Sequence, residues 1–310
     1  MSTIGFDTSN YTTSIGWTDG KNDINIRQIL SVKEGMRGIR QSEGVFQHTK
    51  LIPSLFHKLS QDVDITSVKA VGISTRPRNI EGSYMPVFLV GDGYGRVVSD
   101  TLGVPLYEFS HQDGHVMAGI YSCNAFELLD CDFISVHLSG GTTEILKSRY
   151  EGFNFTHKII GGTKDISAGQ LIDRIGVKMG LQFPAGKSLE QMALKAQNSV
   201  KLPISVDGGY MNFSGSETKS FNLLQNTDKN SLALGVLENV RDTLTKAVNN
   251  AINDTGIRKV LFVGGVASNT IIKAGLENKL NADVYFSSKE YSTDNAVGIA
   301  YLAYLANKEA

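Results

Sequence analysis

Phe133-Ile134-Ser135-Val136-His137-Leu138-Ser139-Gly140-Gly141-Thr142-Thr143 carries the clearest structural signal in this chain. Residues 133–138 are rich in β-branched and aromatic side chains and predict a buried strand, and the two glycines after it predict a turn. The same pattern occurs twice more. Ile4-Gly5-Phe6-Asp7-Thr8-Ser9 is an apolar strand running into Asp-Thr-Ser. Leu261-Phe262-Val263-Gly264-Gly265-Val266-Ala267-Ser268-Asn269 is an apolar strand running into Gly-Gly. Small residues at a strand end let backbone approach a phosphate closely and present N–H donors to it. In the third case the glycines precede a predicted helix, whose N-terminus favours an anion. Any one of these turns read alone is a tight turn. Three at matching places in two halves favour a nucleotide-handling reading.

Outward from the first turn, the pattern predicts a hairpin partner at 12–17, a third strand at 25–32 and a helix at 44–59, with Pro53 as a kink or break. A buried strand at 68–74 follows, then a loop at Arg76-Pro77-Arg78-Asn79, a helix from Met85 or Pro86 towards Leu89 and Val90, and a short strand at 106–109. From Phe133 the order restarts. Hairpin partners are expected at 144–147 and 155–160, helices at 165–179 and 188–197, and a polar, glycine-rich excursion at 201–221. A long helix at 231–253, a strand at 259–263, a helix at 269–280, a strand at 284–287 and a closing helix at 293–307 complete the chain. Hairpins followed by helix–strand units, twice over, predict a duplicated α/β fold with two lobes around a nucleotide cleft. The lobes are expected at 1–108 and 109–310, with the last helix a candidate to pack back on the first lobe.

The totals narrow the function classes. The chain has 310 residues, 41% hydrophobic and 20% charged, as expected of a soluble globular protein. The net charge of −1 argues against a strongly basic nucleic-acid binder and leaves a local basic patch open. Two cysteines, Cys123 and Cys131, support neither a disulfide framework nor a Cys-type zinc site, and they fit a reducing cytoplasm. No basic leader and no long apolar run are seen, so a soluble, cytoplasmic protein without membrane attachment is expected.

His111 and His115 lie four apart in Phe109-Ser110-His111-Gln112-Asp113-Gly114-His115. On a helix both imidazoles share one face and can point at one metal ion; read alone, the stretch equally allows one histidine in the core and the other in solvent. Two histidines do not complete such a site, so a third ligand is needed. Asp7 has no cationic neighbour in sequence, and a magnesium ion or an ordered water is its expected partner. Arg76 and Arg78 read either as a grip for a phosphate or carboxylate or as a solvated loop.

Taken together, these stretches resemble the TsaD family of tRNA N6-adenosine threonylcarbamoyltransferases, which has the actin/hexokinase/Hsp70-like (ASKHA, ribonuclease-H-like) ATPase fold. The resemblance is carried in order by Gly5 to Ser9, His111 and His115, Leu138 to Gly141, Ala168-Gly169 with Asp173, Pro184 to Gly186, Phe213 to Gly215, Val263 to Asn269 and Ser292 to Ala296. It implies a divalent metal, iron or zinc, on His111, His115 and Asp294. It implies Mg-ATP or an adenylate on His137, Leu138, Ser139, Gly140, Gly141, Asp173, Gly186, Gly264, Gly265 and Asn269. Asp7 and Ser139 are its catalytic candidates. The implied chemistry is transfer of a threonylcarbamoyl group from threonylcarbamoyl-adenylate to N6 of adenosine 37 of tRNA. The implied partners are a smaller TsaB-like paralogue of the same fold, a TsaE-like ATPase and tRNA, and a dimer is left open.

Several positions depart from the family pattern. In Asn10-Tyr11-Thr12, Tyr11 and Thr12 stand where the family's first turn carries two acidic residues, Arg76-Pro77-Arg78 replaces Gly-Pro-Gly, and Thr142 stands where a histidine follows Ser-Gly-Gly. Those changes suggest a divergent paralogue, and they leave open two alternatives: a nucleotide-binding scaffold, or transfer to an acceptor other than tRNA. A metallopeptidase ranks last, because Gln112 occupies the place of the general-base glutamate in His-Glu-x-x-His.

Overall fold

The computed structural model describes residues 1–9, 11–32, 39–293 and 296–310. The chain forms two compact units. The first comprises Met1–Phe126, Tyr150–Thr156 and Thr293–Ala310, and the second Glu127–Arg149 and His157–Ser292.

In the first unit β1 (Ser2–Asp7), β2 (Thr12–Thr18) and β3 (Asp23–Ile29) precede α1 (Gln41–Asp62). Then come β4 (Val68–Arg76), α2 (Phe88–Leu102), β5 (Leu106–Ser110) and α3 (His111–Ser122). The sheet order is β3-β2-β1-β4-β5. β1 pairs antiparallel with β2 and parallel with β4, and all six of its residues are buried. A strand buried on both faces reads as an apolar run rather than an alternation, which is why Ile4-Gly5-Phe6 carried so clear a signal. Ile4, Phe6, Ile15, Ile52, Leu59, Val71 and Ile73 form the core between sheet and helices.

α1 runs through Pro53 as one continuous helix, so the proline does not break it. Proline lacks the N–H that would bond the carbonyl four residues earlier, here that of Thr49. Tyr94 of α2 donates its hydroxyl to that carbonyl at 3.4 Å, and buried Ile52, Leu55 and Leu59 hold the helix to the sheet on both sides of the proline.

The second unit repeats the plan with insertions. β6 (Phe133–Leu138), β7 (Thr143–Tyr150) and β8 (Phe155–Thr163) are followed by α4 (Ala168–Lys178) and α5 (Gly186–Ala193). Next are β9 (Ser205–Asp207), β10 (Tyr210–Asn212), α6 (Ser214–Leu223) and α7 (Lys229–Thr255). β11 (Lys259–Val263), α8 (Thr270–Lys279), β12 (Asp283–Phe286) and α9 (Val297–Glu309) end the chain. The sheet order is β12-β11-β6-β7-β8-β10-β9. Five of its strands, read as β8-β7-β6-β11-β12, reproduce the order of the first sheet. β6 is antiparallel to β7 and parallel to β11, as β1 is to β2 and β4. The duplicated actin-like α/β fold is therefore present in both sheets. The excursion expected at 201–221 holds the β9–β10 hairpin and most of α6.

The first unit extends beyond the boundary expected at 108/109, because α3 packs within it and α9 joins it from the far end of the chain. Glycine makes this packing feasible. A Cβ on Gly5 of β1 would lie 2.5 Å from the Ala296 carbonyl oxygen and the Ala300 nitrogen, so only glycine lets α9 rest on the sheet. Gly298 of α9 likewise abuts the Gly114 carbonyl of α3, with no room for a Cβ. Thr3 donates its hydroxyl to the Ala300 carbonyl at 2.7 Å. Among the described residues, no helix is long and apolar enough to cross a membrane.

Candidate functional site

In the first unit the site grows from the ends of two neighbouring parallel strands and the start of the helix after β5. Ser110 caps α3. Its hydroxyl accepts from the Asp113 N–H at 3.1 Å, and the Asp113 carboxylate accepts from the Ser110 N–H at 3.0 Å. That box sets the first turn, which carries His111. His115 follows one turn later beside Gly114, where α9 is closest. The two imidazoles meet edge to face with centroids 4.3 Å apart, as the i, i+4 spacing predicts.

Asp7, at the end of β1, is the group that orients His111. One carboxylate oxygen, Oδ1, accepts from the Ser9 N–H at 2.8 Å and from the Ser74 hydroxyl at 2.9 Å. The other, Oδ2, lies 2.7 Å from His111 Nδ1. Asp7 is 1% exposed, whereas the His111 side chain is 18% exposed. A carboxylate facing Nδ1 assigns the proton to that nitrogen and makes Nε2 the lone-pair donor of neutral His111. Thus the structure gives Asp7 a histidine as its partner, 104 residues away in sequence.

His115, 6% exposed, completes the pair. Asp294, the third metal ligand expected from the sequence, lies outside the described residues. Among the described residues, no group of three or more His, Cys, Asp or Glu side chains is placed to hold a metal ion. The donor set nevertheless fits one. His111 is held in the tautomer that ligating histidines adopt, by the carboxylate contact that usually accompanies them.

Two residues near Asp7 escaped the sequence reading. Ser74 ends the buried part of β4 and reaches Asp7 because β1 and β4 are parallel neighbours. His48 of α1 is fully buried, and its Nδ1 lies 2.7 Å from Thr13 Oγ1. Burial pushes the His48 pKa down to about 4, opposed by the charge of Asp7, so the ring is neutral near pH 7. Its Nε2 has no hydrogen-bond partner among the described residues. A histidine within an amphipathic helical pattern gives no sign of this in sequence.

In the second unit the predicted nucleotide residues are drawn together. The Ser139 N–H donates to the Thr142 carbonyl at 2.9 Å, and Ser139 Oγ accepts from the Thr142 N–H at 3.0 Å. The resulting turn rests on the start of α4. The Ser167 hydroxyl donates to the Gly140 carbonyl at 2.8 Å, and a Cβ on Gly169 would lie 2.6 Å from Gly140 Cα. Hypothetical Cβ atoms on Gly140 and Gly141 meet nothing within 4 Å, so this face of the turn is open. Gly264, at φ +97°, packs against the Leu138 carbonyl and the ring of His137, placing the turn after β11 beside the turn after β6. Gly265 opens the short 3₁₀ turn that follows.

Asp173, one turn further along α4, accepts from the Ala185 N–H at 2.7 Å and so ties down the segment that leads into Gly186 and α5. Burial raises the Asp173 pKa, partly offset by the N–H groups of Ala185 and Gly186. Asn269 is the N-cap of α8, with its Oδ1 3.1 Å from both the Ile271 and Ile272 nitrogens. The Thr270 N–H beside it donates to Glu190 of α5 at 2.6 Å. His137 to Gly141, Gly264, α4, α5 and the start of α8 thus form one linked set. Asp7 stands in the first unit and Ser139 in the second.

A family model described as TsaD, tRNA N6-adenosine threonylcarbamoyltransferase, matches residues 26–301. The chain belongs to the TsaD family. Among its relatives, the tRNA N6-adenosine threonylcarbamoyltransferase of Thermus thermophilus is 29% identical, over 98% of this chain and 92% of that protein. The enzyme of the same name from Archaeoglobus fulgidus is 28% identical, over 99% of this chain and 92% of that protein. TsaD relatives so named make the chain an acyltransferase by family.

Solved structures add the fold. The nucleotide-bound HypF structure superposes with a TM-score of 0.61 at 16% identity, covering 99% of this chain and 46% of HypF. A Clostridium difficile activator of 2-hydroxyisocaproyl-CoA dehydratase, solved with ADPNP, gives 0.56 at 16%, covering 100% of this chain and 96% of the activator.

Proposed function

We propose that this TsaD-family chain transfers a threonylcarbamoyl group from threonylcarbamoyl-adenylate to N6 of adenosine 37 in tRNA, with a divalent metal held by His111 and His115. The Asp7–His111 contact of 2.7 Å carries the reading, because it sets one imidazole as a ligand on the helix face that presents the other. When bound, the metal supplies Lewis acidity towards an oxygen of the substrate. In the transfer, N6 forms a bond to the carbamoyl carbon. The bond from that carbon to the phosphate oxygen breaks, AMP leaves with the electron pair, and N6 loses a proton.

Asp7 is a positioning residue. Its carboxylate holds His111, and Ser74 and the Ser9 amide hold the carboxylate. The open turn at Ser139, Gly140 and Gly141, with Gly264 beside it, supports adenylate binding through backbone N–H groups. For the smaller partner, the reading is supported by a groove of about 460 Å³ between α1 and α2, lined by Val45, Leu89, Tyr94 and Val97. Leu89 and Val97 are 55% and 62% exposed there.

The deciding experiment combines metal analysis with transfer. Purified protein carries near-stoichiometric iron or zinc, and His111→Ala empties it. Threonylcarbamoyladenosine appears in unmodified tRNA incubated with the adenylate, as read by nucleoside mass spectrometry. Metal without product, in the presence of the smaller partner, would redirect the reading to another acceptor.

A further inference from the structure

Beside the Asp7–His111 pair stands an arginine, Arg76, that meets no carboxylate among the described residues. β4 and β5 run parallel, and their register slips between Ser74 and Arg76, so that Ser74 faces Phe109 and Arg76 faces Ser110. Such slips re-aim side chains. Ser74 meets Asp7, and two residues later Arg76 pairs with the residue that precedes His111.

The guanidinium is held from two directions. Its Nη1 donates to Thr75 Oγ1 at 2.8 Å and its Nε to Asn79 Oδ1 at 3.1 Å. Asn79 is in turn fixed by its amide, which donates to Asp113 Oδ2 at 2.7 Å and to the Phe155 carbonyl at 3.2 Å. Asp113 belongs to the capping box of α3, and the Gln112 N–H donates to the Pro77 carbonyl at 3.1 Å. The turn of α3 that carries His111 therefore also sets the Arg76 loop.

Both acceptors on this guanidinium are neutral, and Nη2 makes no hydrogen bond among the described residues. Four other arginines, Arg96, Arg149, Arg174 and Arg241, each meet at least one carboxylate. Ordering a half-buried guanidinium on neutral acceptors loses side-chain entropy and hydration without Coulombic return. A planar cation prepared in that way fits an incoming oxyanion, to which it offers forked donors.

We propose that Arg76 is the oxyanion-binding residue of this site, taking a carboxylate or phosphate oxygen of the ligand next to His111. This role rests on the Asp7–His111–His115 cluster being the ligand site, and it deepens the transferase reading by naming the group recognised. Two sources fit the chemistry, a threonyl carboxylate and an adenylate phosphate, and paired probes separate them.

Calorimetry on the full chain compares N-carbamoyl-L-threonine with its methyl ester, and AMP with adenosine, for wild type, Arg76→Gln, Arg76→Lys and Asn79→Ala. Arg76→Gln weakens one of the two anions by about 10- to 100-fold, while its neutral counterpart binds as before. Arg76→Lys keeps the charge without the fork and recovers part of the loss. Asn79→Ala releases the guanidinium and weakens the same anion several-fold, which keeps the test informative if Arg76→Gln folds poorly. Loss of carbamoyl-threonine identifies the carboxylate, and loss of AMP the phosphate. Equal affinities of wild type and Arg76→Gln for both anions overturn the proposal, as does failure of wild type to bind either. Metal content and tRNA product are read on the same samples. Arg76-dependent anion binding without tRNA product, with the smaller partner present, sinks the tRNA-acceptor reading and leaves this one standing.

Discussion

His48 offers a quantitative test of how tightly α1 closes over β1 and β2. The ring is fully buried, one nitrogen faces Thr13, and Nε2 has no partner among the described residues. Protonation would place a charge and an unmatched N–H in that space, so the folded-state pKa falls from 6.5 to about 4. A depressed histidine pKa means that the unfolded chain takes up its proton first as pH falls. The stability linked to His48 is therefore fully present above pH 6.5, declines as pH drops, and is lost by about pH 4. At about 1.4 kcal/mol per pKa unit, the drop of roughly 2.5 units corresponds to about 3 kcal/mol. His48→Gln keeps a polar group next to Thr13 and does not titrate. Imidazole carbon–proton NMR titration of the six histidines, with His48→Gln to assign the resonance, reads the pKa directly. Urea unfolding at pH 7 and pH 4.5 reads the linked stability, and the wild type loses about 2 kcal/mol more than the variant on acidification. A His48 pKa near 6.5, or equal acid sensitivity of the two proteins, would refute the closed packing.

Asp7→Asn removes the carboxylate that selects the His111 tautomer. Bound metal should fall by about 10- to 100-fold in affinity with the fold intact, as read by chelator competition and far-ultraviolet circular dichroism. Gly264→Ala places a Cβ on the Leu138 carbonyl at a positive φ, so it should lower stability by about 1–3 kcal/mol in denaturant unfolding. Gly140→Ala points a methyl group into open space, so unfolding should be unchanged while adenine-nucleotide affinity falls; unchanged affinity would remove the turn from the binding surface.

Much of the fold was legible because its decisive strands, β1, β6 and β11, are buried on both faces and end in small residues. Three apolar runs with Gly or Ser-Thr endings stand out against any background. α2 was read too short and the β9–β10 hairpin was missed, since the one carries Gly91, Gly93 and Gly95 and the strands of the other have three residues each. Local signals that weak are decided by packing. The break allowed for at Pro53 does not occur, and the hydroxyl that answers the orphaned Thr49 carbonyl, that of Tyr94, lies on another helix.

By itself the sequence determined the duplicated strand plan, the shared face of His111 and His115, and the glycine turns after β6 and β11, because each depends on neighbours within a few residues. Only the tertiary structure decided that Asp7 orients His111, that α9 lies with the first unit, and that the Arg76 guanidinium is held by neutral groups. Those contacts join residues far apart in the chain. Their geometry follows from which strands lie side by side and from the missing Cβ atoms of Gly5, Gly114 and Gly298, and no local pattern records either.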